Sequence, residues 1–153
     1  MRPYAKECLA EASKLFEVVV FTASHRCYAD PVVDYLDPTK ELVHHRLYRE
    51  DCLAVNGVFL KDLRVFANRD LADLLLVDNS VYSFGYQLDN GIPIMPWTED
   101  PSDRELYNLC GYLKTLATCP DMLAANRKTF KLRKFYKDFL KKCGGNKLLK
   151  TLN

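Results

Sequence analysis

A chain of 153 residues with a net charge of +2, 48% hydrophobic and 27% charged residues has the length of one folded domain and the composition of an ordinary globular one. The near-neutral balance points to no particular partner, no apolar run approaches the ~20 residues of a membrane span, and no repeat or low-complexity linker interrupts the pattern. Six cysteines, at positions 8, 27, 52, 110, 119 and 143, form no Cys-x-x-Cys and no zinc-finger spacing with histidine, and with no signal peptide read they are expected as reduced thiols in a nuclear or cytoplasmic protein.

In chain order, Pro3 opens a helix over residues 5–15, with Cys8, Leu9, Ala12, Leu15 and Phe16 on one stripe. Glu17 to Phe21 reads as a buried strand, and 25–36 as a helix with Pro31 in its first turn or at a kink. Leu42 to Tyr48 is a short strand. Its adjacent His44 and His45 face opposite ways and make no two-histidine metal site. Asn56-Gly57 between two apolar triplets, 53–55 and 58–60, is a two-residue hairpin signal. Residues 69–73 are a helical turn or loop, 74–77 a buried strand, 85–91 a loop and 92–96 a short edge strand, where proline is tolerated. Ser102 to Glu105 reads as a capping box before the apolar series Leu106, Leu109, Leu113 and Leu116. A last amphipathic helix is expected over 125–142, stopped by Gly144-Gly145. Strands alternating with helices predict an α/β fold with a mainly parallel core.

Three apolar runs end in polar residues. Val18–Phe21 ends in Thr22, Val58–Leu60 in Lys61, and Leu74–Val77 in Asp78-Asn79. In open α/β sheets, ligands sit beyond the carboxyl ends of such strands. A hydroxyl, an ammonium and a carboxylate–amide pair converging there suit a phosphate and a magnesium ion. Each has a plainer reading taken singly: Thr22 as a helix cap, Lys61 as a surface lysine, Asp78-Asn79 as an Asx turn. The ordered set favours the first reading.

That order carries a resemblance. Phe21-Thr22-Ala23-Ser24, Tyr28-Ala29-Asp30-Pro31, Arg46-Leu47-Tyr48-Arg49-Glu50, Lys61-Asp62-Leu63, Val77-Asp78-Asn79-Ser80, Asp89-Asn90-Gly91-Ile92-Pro93-Ile94, Trp97 and Ser102-Asp103-Arg104-Glu105-Leu106 resemble the small C-terminal-domain phosphatases, also called NLI-interacting-factor-like phosphatases. These are a branch of the haloacid-dehalogenase superfamily. The likeness spans roughly residues 2–120. It implies a haloacid-dehalogenase-like Rossmannoid parallel sheet with a small β-hairpin insertion. It also implies a Mg2+-dependent protein Ser/Thr phosphatase working through an aspartyl phosphate. Thr22 and Lys61 would hold the phosphoryl oxygens, Asp78 and Asn79 the metal, and Tyr28 and Arg49 the phosphoserine or phosphothreonine peptide. His25 replaces an aliphatic residue of some relatives. The family's nucleophile lies in an Asp-x-Asp-x-Thr/Val motif after the first core strand, and no Asp-x-Asp occurs in these 153 residues. The expectation is therefore a phosphatase-like domain over 1–120 lacking its first core strand, with weak Mg2+ binding and no activity by itself.

Residues 121–153 form an expected basic helical tail, an extra C-terminal helix beyond the resemblance. Arg127 to Lys150 holds ten Lys or Arg against the single acid Asp138, which makes an anionic partner one reading and a solvated helix face the other. The alternative function is a non-catalytic phosphatase-like binding module, of the kind found as a receptor subunit in mitochondrial inner-membrane import.

Overall fold

The polar motifs close short strands. The computed structural model describes residues 1–142, so the Gly144-Gly145 stop lies outside the described residues. The chain divides into two units, 1–51 with 95–119 and 52–94 with the chain from Pro120 onward.

The first unit holds α1 (Ala5–Ser13), β1 (Val19–Phe21), α2 (Arg26–Leu36), β2 (His45–Leu47) and α3 (Glu105–Ala117). β1 and β2 run parallel, with Val20 opposite Arg46. Cys8, Ala29, Val33, Tyr48, Leu109, Leu113 and Leu116 are its buried apolar residues. Leu109, Leu113 and Leu116 repeat at helical spacing, so one face of α3 meets the core. Pro31 lies inside α2, beyond its first turn. There it withholds one N–H from the ladder while the helix continues. Asp37 ends α2 fully buried and accepts the backbone N–H groups of Glu41, Leu42 and Val43 at 2.9–3.1 Å. One carboxylate so folds the connection into β2, where a capping glycine is lacking.

The expected capping box does not form. The Ser102 hydroxyl turns back to Asp100 at 2.7 Å, and Asp103 instead takes the Glu105 N–H at 3.2 Å. The reason lies at the other end of the unit. Arg2 grips Asp103 with two parallel bonds, Nε at 2.9 Å and Nη2 at 2.8 Å, and gives Nη1 to the Met95 carbonyl at 2.7 Å. The side chain of Glu105 accepts from the Met95 N–H. A bidentate guanidinium–carboxylate pair is a stronger and more directional contact than a neutral cap.

The second unit holds β3 (Leu53–Val55), β4 (Val58–Leu60), β5 (Leu76–Asp78), β6 (Gly91–Pro93), α4 (Met122–Phe130) and α5 (Leu132–Lys142). β3 and β4 are an antiparallel hairpin, and β5 and β6 are parallel. Asn56 and Gly57 have φ of 50° and 82°, the two positive values that a type I′ turn requires. The three polar strand ends therefore belong to three separate two-stranded sheets and not to one continuous one. Against the 74–77 expectation β5 starts two residues later and ends one later, and against 92–96 β6 starts one residue earlier and ends three earlier.

The core of this unit is Leu63, Leu76, Phe84 and Leu132, with Phe66, Leu71, Leu74, Leu88 and Phe130 packed around it. The single helix expected over 125–142 is two. Lys131 takes the left-handed conformation, φ 52°, and breaks it. The break turns Leu132 and Tyr136 into the core while Phe135 stays exposed. Asn126, 1% exposed, donates its side-chain amide to the carbonyls of Asp89 and Gly91 at 2.7 Å each. Arg127 and Arg133 both close on the Asp89 carboxylate at 2.8–3.0 Å. The basic helices are thus fastened to the Asp89–Ile94 segment by one buried amide and one shared acid.

Gly91 is required by this packing. A Cβ there would stand 2.6 Å from Phe84 Cγ and 2.9 Å from Leu132 Cδ1. Gly91→Ala is expected to cost about 1–3 kcal/mol or more, as overpacking does. Urea unfolding of the two proteins measures it, and an unchanged midpoint would show that the contact yields.

Asp89 gives a pH dependence. The Arg133 guanidinium, and after it Arg127, holds its carboxyl below the usual range despite opposing burial. A depressed folded pKa means the contribution is fully present above the unfolded value, about 3.9, and is lost as pH falls through the folded one. Asp89→Asn is expected to be less stable than the parent at pH 7, with the gap closing in acid. A gap independent of pH would mean the pair contributes through shape alone.

Candidate active site

β4 ends at Leu60, which is buried, and hands the chain to Lys61. β5 ends on Asp78. The Lys61 ammonium lies 2.5 Å from Asp78 Oδ2, and the two side chains are only 13% and 8% exposed. Asp78 Oδ1 accepts the Ser80 N–H at 2.7 Å, and the Asp78 carbonyl accepts Ile94 N–H at 3.1 Å. The Lys61 N–H is held by the Ser83 carbonyl at 3.3 Å. Both charges are therefore fixed by strand ends and by the turn over Val81–Phe84. Two charges removed from water at this depth are costly unless each answers the other. In that drier setting each also exerts a stronger field on whatever binds beside it.

The residues after Lys61 are held just as firmly. Asp62 caps the turn over Leu63–Val65 through the Arg64 N–H at 3.0 Å and accepts the Gln87 side-chain N–H at 2.9 Å. Gln87 Oε1 in turn accepts the Leu63 N–H at 3.1 Å. The Arg64 guanidinium, with lesser help from Gln87, keeps the Asp62 carboxyl low. Gln87 had no signal in the sequence, since its partner lies 24 residues away and no periodicity links them.

In the first unit, Thr22 follows β1, and its N–H continues the ladder to the Leu47 carbonyl at 2.9 Å. Its hydroxyl oxygen accepts the Ser24 N–H at 3.1 Å. Arg49 folds over the same turn. Its N–H reaches the Ser24 carbonyl at 3.1 Å, Nε the Ala23 carbonyl at 2.6 Å, and Nη1 lies 3.0 Å from His25 Nε2. Arg49 and Thr22 are thus brought onto one turn. Tyr28 stands nearby in sequence on α2 and is 70% exposed.

Beside these residues is a polar lattice of which the motifs contained Asp30, Arg46 and Tyr48 without a role. Asp30 and Asp34, one helical turn apart, both face Arg46, at 2.9 and 2.7 Å. The Tyr48 hydroxyl donates to Asp30 at 2.6 Å, and Arg26 stacks over the Tyr48 ring at 4.3 Å. The Tyr48 hydroxyl first, then Arg46, lowers the Asp30 carboxyl. Two acids at i and i+4 were the available signal, because that spacing puts both on one face.

The donor set allows a test of magnesium. Asp78 offers one carboxylate, already shared with Lys61, and Asn79 beside it is exposed. Mg2+ is content with one or two carboxylates when waters and substrate oxygens complete its shell. These hard oxygen donors fit it, with Lys61 as the competing cation. Among the described residues, no three His, Cys, Asp or Glu side chains gather as a fuller metal site.

Comparison with known proteins decides the family. The NLI interacting factor-like phosphatase family matches residues 1–123. The chain belongs to this family. It is 42% identical over 134 residues to CTD small phosphatase-like protein 3 of Caenorhabditis elegans, covering 87% of this chain and 46% of that protein. It is 38% identical over 121 residues to Nuclear envelope morphology protein 1 of Schizosaccharomyces pombe, covering 79% of this chain and 25% of that one. The chain thus spans less than half the length of these relatives. The fold is also that of Fcp1, an essential RNA polymerase II CTD phosphatase, with a TM-score of 0.67 at 18% identity over 95% of this chain and 51% of that one. The α/β, haloacid-dehalogenase-like fold expected from the motifs is the fold found.

Proposed function

We propose that this chain is the greater part of a Mg2+-dependent protein Ser/Thr phosphatase domain whose nucleophilic aspartate stands outside these 153 residues. The reading is carried by the Lys61–Asp78 pair, an ammonium and a carboxylate held at two strand ends with little access to water. In this reading residues 1–120 make the phosphatase-like domain and 121–153 a basic extension. Lys61 and Thr22 bind the phosphoryl oxygens. Asp78 and Asn79 hold the metal, which when bound polarises a phosphoryl oxygen as a Lewis acid. The reaction passes the phosphoryl group from a phosphoserine or phosphothreonine protein to the aspartate, and water then hydrolyses the aspartyl phosphate. Lys61 opposes the charge that builds on the phosphoryl oxygens, an interaction worth most in a preorganised, dry site. Tyr28 and Arg49 contact the peptide. The lysines exposed on α4, α5 and the turn between them, Lys128, Lys131, Lys134, Lys137 and Lys141, would meet an anionic partner of the extension. A nuclear or cytoplasmic setting goes with the reading, and the name of the fission-yeast relative leans towards the nucleus.

The test supplies the missing group. A fusion carrying a strand with Asp-x-Asp-x-Thr ahead of Met1 is expected to release phosphate from phosphoserine peptides, and EDTA should abolish the release. A second reading, a non-catalytic binding module, is favoured by the lack of any Asp-x-Asp in the chain. A fusion that binds the phosphopeptide without releasing phosphate would establish that reading and end the first.

A further inference from the structure

Helices α1 and α3 meet along a seam with three rungs. The Tyr4 ring packs on Tyr107 with centroids 5.5 Å apart. Glu11 Oε2 pairs with Lys114 Nζ at 2.7 Å. Between these two contacts Cys8 faces Cys110, close enough for the Cys110 thiol to help push the Cys8 thiol up. The steps are four and three residues on α1 and three and four on α3. That spacing keeps each series on one helix face and requires the two helices to run parallel and in register. The two sulfurs are the middle rung, held between an aromatic pair and an ion pair. Neighbouring rungs on both sides resist sliding, and the contact does not depend on the placement of one side chain alone.

The two cysteines differ in access. Cys8 is buried, 7% exposed, while Cys110 is partly open to solvent. We propose that Cys8 and Cys110 are a redox pair, oxidised by hydroperoxides to an intrachain disulfide that ties α1 to α3, with Cys110 as the thiol oxidised first and Cys8 as the resolving one. In the first step the Cys110 sulfur displaces hydroxide from hydrogen peroxide. The O–O bond breaks and an S–O bond forms, leaving a sulfenic acid. In the second the Cys8 sulfur attacks the Cys110 sulfur. The S–S bond forms, the S–O bond breaks, and the oxygen leaves as water with the Cys8 proton. Two thiols lose two electrons and the peroxide becomes two waters. Burial first, and then the Cys110 thiol, push the Cys8 thiol up to about 12. Cys8 therefore stays protonated at neutral pH, which keeps it from reacting with peroxide first, because the thiolate is the form that attacks; it can attack the Cys110 sulfenic acid only as its proton passes to the departing oxygen. Closing the bond requires the sulfurs to come to ~2.05 Å, and the flanking Tyr4–Tyr107 and Glu11–Lys114 contacts hold the two helices in the register that sets these side chains opposite each other. In a reducing compartment the pair would be transient and sensing, the usual character of such bonds there.

The experiment uses the full chain and hydrogen peroxide, followed by alkylation and tryptic mass spectrometry. Cleavage at Lys6, Lys14, Arg104 and Lys114 puts Cys8 and Cys110 on separate peptides, each with no other cysteine. The expected result is the Glu7–Lys14 peptide joined to the Glu105–Lys114 peptide, reversed by dithiothreitol. It should form at least about tenfold faster in the folded chain than in urea, as two prepositioned groups require. Cys8→Ser should leave Cys110 as a sulfenic acid that dimedone traps. Cys110→Ser should leave Cys8 unoxidised. The wild-type peptide map stands even if a variant fails to fold. Cys110 running on to sulfinic acid with Cys8 intact, Cys110 joined to another cysteine, or no preference for the folded chain would each overturn the proposal.

Discussion

Assayed alone with Mg2+ and p-nitrophenyl phosphate, the 153-residue chain is expected to show no turnover above a Lys61→Ala control. Lys61 and Asp78 can position and neutralise, but neither can accept a phosphoryl group in the proposed mechanism, and no Asp-x-Asp is present to do so. Once a segment with that motif is supplied, Lys61→Ala is expected to lower kcat by ~100-fold or more, the size of the electrostatic contribution that a single preorganised donor makes. The substitution also leaves Asp78, 8% exposed, without its ammonium, and breaking one half of a buried pair is itself strongly destabilising. Lys61→Met leaves Asp78 equally unpaired but keeps the packed stem, so it isolates the loss of the charge better than Lys61→Ala does. Circular dichroism shows whether each variant folds. A folded Lys61→Met enzyme with parental kcat would remove Lys61 from the phosphoryl site.

What the sequence made legible was local. The hairpin at Asn56-Gly57 was readable because two positive φ values in succession leave few residue choices. The strand ends at Lys61 and Asp78 were readable because apolar runs stop abruptly there, and the structure puts those two side chains in contact. Long-range choices were not readable. Ser102 and Glu105 have capping-box spacing, but Arg2, 101 residues from Asp103, redirects the start of α3. The last helix has an unbroken amphipathic pattern, but Lys131 adopts the left-handed conformation so that Leu132 can reach Leu63 and Phe84. No local propensity encodes that turn, and the core overrides the pattern. Asp89 belonged to a quoted motif, but nothing nearby announced that Arg127 and Arg133 would share it.

Purified alone, the chain is expected to be marginally stable, with an unfolding midpoint at or below ~45 °C, the low end for mesophile domains, or to self-associate. The reason is the sheet arrangement. β1–β2 and β5–β6 are parallel pairs of three-residue strands, each strand with one sheet neighbour among the described residues. Parallel sheets normally pair on both sides and are covered on both faces, and a two-stranded element alone is marginal in water. Each buried backbone group left without a partner costs about 1–3 kcal/mol. A few of these rival a domain's whole stability of about 5–15 kcal/mol. Open strand edges are also templates for pairing with another chain, so the deficit should appear as aggregation or as rescue by an added strand. The same fusion that supplies Asp-x-Asp-x-Thr supplies such a strand. It is expected to raise the midpoint and return the protein to a single species on size exclusion, even with both aspartates changed to asparagine, which separates the strand's structural part from its chemistry. A monodisperse monomer of the 153-residue chain melting cooperatively above ~60 °C would show that its edges are already satisfied from within.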